Sequence, residues 1–556
     1  MERRHFLQLT GVSLAGLLLW PGVSEGAPRP PTVQLPEAVF VQLADGLHAL
    51  TSADKKTWMY QDITVGLSYH QNALQVAVQS PTQALREVQL RWPYAPAAAA
   101  TICGDQWERT YGNVAFEAPV ATRRLPWYFI QQEGGAATTC FGVKTGCAAF
   151  CSWQVGGGTM QLNLDTTSGG VGVQLGVRTL VAAAIVTTQN EKKENTFATA
   201  RRFCRIMCEH PRLPKQPVYG INDWYFAYGR NSSALIMEHT ALLADLAPSG
   251  NNRPFSVVDA GWAAFSPLLP NDCCWQDDYT RPNQKFSDMS TLAGNIRQKG
   301  MRPGLWTRPL CAPHTAKANL LLPSIAGRND PKKPVLDPSI PENLARIQTV
   351  IRTHAQWGYD LVKHDFTTYD LLGRWGFEMT DGLTAPGWRL YDNSRTTAEI
   401  ILDMYRAIRE AAGPMYLIGC NTVSHLSAGL FELNRIGDDT SGEEWDRTRK
   451  MGVNTMGFRL VQHNTFYAAD GDCVGLTPKV PWQKNEQWMR LLAESGAPLF
   501  ISAQPEAVGE AQRQAIKQSF AAAARVQPVA EPLDWLTNQW PTKWRLNGVP
   551  TAFDWA

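Results

Sequence analysis

A chain of 556 residues is long enough for two or three domains and a large core. Its 52 basic and 50 acidic residues leave a net charge of +2, a balance that argues against nucleic acid or an anionic membrane surface as the main partner. Aromatic residues make up 10% of the chain and include 20 Trp; indole rings suit the flat apolar faces of sugars, although large β-rich cores are rich in Trp as well.

In chain order, Arg3-Arg4-His5-Phe6-Leu7 precedes an apolar run over 12–20 and a stretch of small residues up to 27. The run is short for a bilayer span, so 1–27 reads as a signal peptide. Arg-Arg-x-Phe-Leu resembles the twin-arginine export signal, which implies a bacterial periplasmic or secreted protein without a membrane anchor. The residues from 28 to 195 show short β-prone runs broken by Gly, Pro, Asn and Asp. Runs 63–69 and 73–78 alternate apolar with small or polar residues, and Gly156 to Gly158 read as a turn. This predicts an N-terminal β-sandwich. A linker helix and a Pro-rich hinge fill 196–217.

From 218 the pattern alternates strands and helices. Eight strands are predicted at 218–222, 255–260, 302–306, 360–365, 415–420, 434–438, 461–467 and 498–502. Helices are predicted between them at 233–246, 289–299, 341–358, 396–412 and 486–495, and a last one at 508–525. Eight βα units predict a catalytic (β/α)8 TIM barrel over 218–525, followed by a short β tail over 526–556. The fold class is therefore multidomain, β plus α/β.

In such a barrel chemistry sits at the C-terminal strand ends. Strand two ends in Asp259-Ala260-Gly261-Trp262, strand three in Trp306, strand four in Lys363-His364-Asp365, and strand five at Cys420. Strand six leads into Arg435-Ile436-Gly437-Asp438-Asp439, and strand seven into Asp470-Gly471-Asp472. Carboxylates thus converge from four strands. Two carboxylates facing one bond are what glycoside hydrolysis needs, one attacking the anomeric carbon and the other protonating the leaving oxygen. Lys363 beside Asp365 favours an ionised nucleophile, and repulsion between adjacent Asp438 and Asp439 is expected to raise the pKa of the acid. Strand alternation turns His364 away from the site. Adjacent Cys273 and Cys274 are spaced for a strained vicinal disulfide, and no cysteine or histidine set stands at zinc spacing, so no metal is expected.

The set Val257-Val258-Asp259-Ala260-Gly261-Trp262, Gly304-Leu305-Trp306, Leu336-Asp337-Pro338, Lys363-His364-Asp365-Phe366, Cys420, Arg435 to Thr440, Asp470 to Cys473 and Ser495 to Phe500 resembles the α-galactosidase (melibiase) superfamily, glycoside hydrolase families 27 and 36, family 36 most closely. The resemblance implies a retaining α-glycosidase without a metal or organic cofactor, acting on an oligosaccharide or glycoconjugate. It implies Asp365 as nucleophile and Asp439 as acid/base, with Asp438 the alternative one position away. It also implies Lys363 and Asp259 on ring hydroxyls, Arg435 and Asp438 among the substrate-binding residues, Trp306 and Trp224 lining the sugar subsite, and Cys420 near the 2-position. The family's strand-two motif is Asp-Asp-Gly-Trp, and here its second carboxylate is Ala260. A lost charged hydrogen bond of about 1.5–3 kcal/mol bears directly on which sugar fits. An N-acetylated sugar, a transglycosylase of the raffinose-synthase kind, and a non-catalytic sugar binder are the alternatives. Arg308, past strand three, is expected to pair with a loop carboxylate rather than with the substrate.

Overall fold

The computed structural model describes residues 33–134 and 137–556; the predicted signal peptide over 1–27 lies outside them. Two antiparallel sheets form the N-terminal part. One has six strands in the order Leu47–Ala49, Ala38–Gln42, Glu87–Pro93, Thr159–Asp165, Phe150–Gly156 and Leu125–Pro126. The other has seven, in the order Thr57–Tyr60, Ile63–His70, Ala73–Gln79, Leu180–Gln189, Ala137–Val143, Tyr128–Glu133 and Thr101–Gly104. Period-two patterning sets the faces: Val88, Leu90 and Trp92 are buried while Glu87, Gln89 and Arg91 point the other way. The sheets meet through Trp153, whose ring lies 5.7 Å from Phe129 and 6.3 Å from Phe141 of the opposite sheet. The helix Thr196–Met207 follows, with the Asn195 side chain accepting from the Ala198 N–H as its N-cap.

The second unit is built on a parallel sheet. Its strands run in the order Ala468–Asp470, Leu433–Arg435, Tyr416–Gly419, Leu361–His364, Arg302–Thr307, Phe255–Val258, Tyr219–Asn222, Leu499–Ala503 and Cys473–Leu476. The two outer segments are consecutive in sequence, separated only by Gly471 and Asp472. The ladder therefore curls round until its two ends meet on one stretch of chain, giving eight strand positions with the seventh in two pieces. Phe255, Val257, Leu361, Ile418, Leu433 and Phe500 pack together inside the curl. Val258, Leu305, Val362 and Leu417, one residue out of phase, join the helix-facing core. Such strands carry apolar residues on both faces, which is why they read as continuous apolar runs.

The order of elements agrees with the alternating pattern, and several bounds differ. The seventh strand is not at 461–467. That run is a 3-10 turn, Leu460–Gln462, closing the helix Asn454–Arg459, and the strand begins at Ala468. A short buried apolar run does not distinguish helix end from strand, and here tertiary packing decides. The sixth strand stops at Arg435, so Asp438 and Asp439 sit on the loop beyond it. The helix expected at 486–495 begins earlier, as Trp482–Glu494. An unforeseen antiparallel pair, Ala263–Phe265 with Gln276–Pro282, follows the second strand. At the C-terminus Glu531–Pro532, Lys543–Leu546 and Val549–Ala552 form a three-stranded sheet, tied down by the Trp445 indole N–H donating to the Trp555 carbonyl at 3.1 Å.

Candidate active site

The strand ends meet at a cavity of ≈ 310 Å³, at the lower end of the range of about 300–1,000 Å³ for small-molecule sites. Trp224, Asp259, Ala260, Trp306, Lys363 and Asp365 line one side, and Asp438 and Asp439 another. Period two along the fourth strand places Leu361 in the inner core, Lys363 above it and Asp365 at the rim. His364 faces outward, 4.9 Å from the Phe431 ring, where burial holds its pKa down at about 4.

Lys363 Nζ lies 2.7 Å from Asp259 Oδ2, which also accepts from Asn222 Nδ2 at 2.7 Å. Burial pushes the lysine down, but the surrounding negative charges, Asp259 foremost with Asp365 among them, together outweigh it and keep the ammonium charged. Behind Asp259, the Asp223 side chain accepts the Asp259 N–H at 2.7 Å and an Asn231 N–H at 2.8 Å. Burial, reinforced by the Asp259 charge, pushes Asp223 up to about 7. Gly261 completes this turn at φ +111°, where a Cβ would stand 2.6 Å from the Gly229 carbonyl oxygen.

The Asp365 carboxylate accepts from Trp306 Nε1 at 3.2 Å and from the N–H of Phe366 at 2.7 Å. Phe366 is left-handed, at φ +62°, a conformation costing a non-glycine residue about 1–2 kcal/mol. That turn directs the Phe366 N–H onto the preceding carboxylate, so local strain coincides with a positioned acid group.

The two carboxylates on the sixth-strand loop have different surroundings. Asp438 has both oxygens engaged: Arg109 reaches Oδ1 at 2.8 Å and Arg447 reaches Oδ2 at 2.9 Å. Asp439 is met only on Oδ1, by Arg435 at 3.0 Å and Arg109 at 3.6 Å, and its side chain is 36% exposed. Its Oδ2 makes no hydrogen bond among the described residues. Burial pushes Asp439 up, but Arg435, Arg109 and Lys363 outweigh it and hold the group at about 2. The expected upward shift from its Asp neighbour is therefore corrected: Asp438 is neutralised by its own two arginines, and the cations dominate.

Two other expectations are also corrected. Cys420 and Arg435 do not line the cavity; each is about 1% exposed and they sit behind its wall, with Arg435 Nη1 3.7 Å from the Cys420 sulfur. Arg435 instead bridges Asp439 to Asp472, 2.9 Å away, which also accepts from the Tyr225 hydroxyl and the Thr440 N–H. Asp472 is thus a supporting group at the break in the seventh strand. Cys273 and Cys274 are thiols with their sulfurs 3.6 Å apart, and Cys274 joins the cavity wall. Arg308 pairs with Asp370 at 2.5 Å and stacks 3.9 Å over Phe366, so it is held away from the cavity.

A further part of the site comes from the antiparallel unit. Its segment 105–111 crosses to the parallel unit and pairs with it through the backbone: the Thr110 N–H donates to the Ile436 carbonyl at 2.9 Å, and the Asp438 N–H to the Thr110 carbonyl at 2.8 Å. Buried Asp105 holds Arg459 at 2.8 Å. Glu108 accepts the Gly376 N–H at 2.9 Å, with Asn421 and Tyr111 on its other lone pairs. The strap so fixed delivers Arg109 and Tyr111 into the cavity. Arg109 also lies 5.3 Å over Trp375, and Phe377, 52% exposed, packs edge-on against Tyr111 at 4.8 Å. Sequence reasoning missed these aromatics and Arg109, because no local signal joins segments more than 250 residues apart.

No family model and no curated protein sequence matches this chain. Solved structures do. An α-galactosidase from Thermus thermophilus in complex with p-nitrophenyl α-D-galactopyranoside superposes with a TM-score of 0.60 at 18% identity, covering 93% of this chain and 99% of that one. A substituted GH36 α-galactosidase from Geobacillus stearothermophilus in complex with stachyose gives 0.58 at 14% identity, over 91% and 77%. The α-galactosidase from Lactobacillus brevis gives 0.55 at 13% identity, over 90% and 74%. The chain shares the fold of the family 36 α-galactosidases.

Proposed function

We propose that the chain is a retaining α-glycosidase of α-galactosidase type. The observation that carries this reading is the placement of Asp365 and Asp439 on one cavity, which the Lys363–Asp259 pair also lines. Asp365 is the nucleophile: its carboxylate, oriented by Trp306 and the Phe366 N–H, attacks the anomeric carbon to form a covalent glycosyl-enzyme. Asp439 is the acid/base. It is preferred over Asp438 because it has an unengaged oxygen to carry the proton, while both oxygens of Asp438 are held by arginine. Asp439 protonates the leaving oxygen in the first step. In the second it takes a proton from the water that attacks the anomeric carbon, which frees Asp365. In the free enzyme Asp439 is held ionised, the form needed for the second step. Covering it with the leaving group removes water that favours its charge and so helps it gain the proton for the first.

Lys363 and Asp259 bind neighbouring ring hydroxyls of the sugar as donor and acceptor. Ala260 and Cys274 give the wall beside Asp259 a methyl and a thiol, which favours a galactose-like sugar whose substituent there needs no charged partner, including an N-acetylated one. The leader implies export to the periplasm or beyond, a point checked by cell fractionation. The enzymatic reading is tested by screening p-nitrophenyl α-glycosides, the galactoside and the N-acetylgalactosaminide first, with and without an acceptor sugar. Turnover of one of them is expected, with Asp365→Ala reducing it by about 10⁴-fold or more. Azide should restore activity to that variant as a glycosyl azide. No turnover of any α-glycoside defeats the reading, and undiminished turnover by the variant removes Asp365 from its role.

A further inference from the structure

A second cavity, of ≈ 360 Å³, opens on the outer face of the six-stranded sheet. The strand register explains its character. Gln42, Glu87, Asp165 and Phe150 stand in one cross-strand row, and Phe40, Gln89, Asn163 and Ser152 in the next. All point away from the core face that carries Val41, Val88, Leu90, Leu162 and Leu164. The outer face of this sheet is thus a band of amides and carboxylates, cross-linked by Gln89 donating to Glu87 at 2.7 Å and Asn163 donating to Gln154 at 3.0 Å.

At the end of the first row the band becomes an enclosure. Arg86 and Arg124 flank it, the parallel unit closes it with Asp381, Gly382 and Leu383, and Trp107 and Phe150 form its floor with their rings 5.7 Å apart. Its polar groups have bonding capacity left over. Asp165 spends Oδ1 on the N–H and hydroxyl of Thr167, at 2.9 and 2.6 Å. Its Oδ2, the Arg86 guanidinium and the Asp381 carboxylate make no side-chain hydrogen bond among the described residues.

The mixture of charges selects the ligand class. An anion would meet Glu87, Asp165 and Asp381, and a cation would meet Arg86 and Arg124. A neutral polyhydroxylated molecule satisfies both sets, because each hydroxyl donates to a carboxylate and accepts from a guanidinium or amide. We infer that this cavity is a second, non-catalytic saccharide-binding site, recognising a neutral oligosaccharide through Arg86, Glu87, Gln89, Asp165 and Asp381. This goes beyond the proposed hydrolase and uses none of its residues.

Calorimetric titration of the full chain with raffinose tests it, in an Asp365→Ala background so that the sugar is not consumed. Two binding events per chain are expected. Adding Arg86→Ala should weaken one at least tenfold and leave the other unchanged. Asp381→Ala, an exposed residue on the opposite unit, serves as the second variant, and both should melt within a few degrees of the parent. In the wild-type background neither change should alter turnover of p-nitrophenyl α-galactoside by more than about twofold. A single event lost with Arg86→Ala supports the cavity site even if the hydrolase reading fails. Raffinose binding that neither Arg86→Ala nor Asp381→Ala weakens, or no binding at all, overturns the inference.

Discussion

The two sides of the candidate active site come from regions built on different physical rules. One side is the rim of the parallel sheet, where Asp259, Trp306, Lys363 and Asp365 each follow a short apolar run and are placed by strand alternation. The other is the strap 105–111 of the antiparallel unit, with Arg109 and Tyr111 placed by backbone pairing against residues 436–438. Under the proposed mechanism the first side supplies the nucleophile and the residues that would bind ring hydroxyls. The second supplies the cation that neutralises Asp438 and, with Arg435, holds Asp439 down at about 2. The difference is instructive: the sheet positions the proposed nucleophile, while the neighbouring unit adjusts the electrostatics of the proposed acid.

That division can be broken or sharpened by substitution. Removing the acid with Asp439→Ala should have the largest effect of these, about 10²–10⁴-fold on the first step. It should be greatest for natural leaving groups and smallest for p-nitrophenol, which departs without a proton. Asp438→Asn should keep the wild-type dependence on leaving group, and a series of substituted phenyl α-galactosides distinguishes the two. If Asp438→Asn shows the steeper dependence, the acid has been assigned one residue too late.

Lys363→Met should come next. It leaves Asp259 a buried carboxylate with only the Asn222 amide and the Ala260 N–H donating to it, at a cost of about 3–5 kcal/mol, read by denaturant unfolding alongside loss of turnover. Combining it with Asp259→Asn should recover most of the stability and none of the activity, whereas recovery of both would reduce the pair to a structural role.

Arg109→Gln should have the smallest effect and the most diagnostic one. Asp439 is depressed by nearby cations, so deleting one raises its pKa. The alkaline limb of the kcat profile, which follows loss of the acid's proton in the substrate complex, should move to higher pH by about one unit. A limb that stays put would make the strap a structural contact only.

Legibility in the sequence follows the same division. Asp259, Trp306, Lys363 and Asp365 were readable because each lies within one residue of the end of a four- to six-residue strand, and period two then decides which side chains face inward. The Asp438–Asp439 choice was not readable, since adjacent carboxylates on a loop differ only by which arginines reach them. Arg435 and Cys420 were expected at the cavity from the family resemblance, yet the third strand residue of 433–435 and the first loop residue after 416–419 fall behind its wall. The error at 461–467 has a related origin: the apolar run Leu460-Val461 is as buried at the end of a helix as it would be in a strand.

The sequence by itself determined the alternation of elements, the two-unit organisation and the parallel-sheet side of the cavity, because strand and helix periods and turn residues are local. Only the tertiary structure decided which aspartate keeps a free oxygen, that Asp439 is held ionised, and that Arg109 belongs to the cavity. Those properties depend on Arg109, brought within 4 Å of both aspartates from more than 300 residues away, and no local pattern encodes that approach.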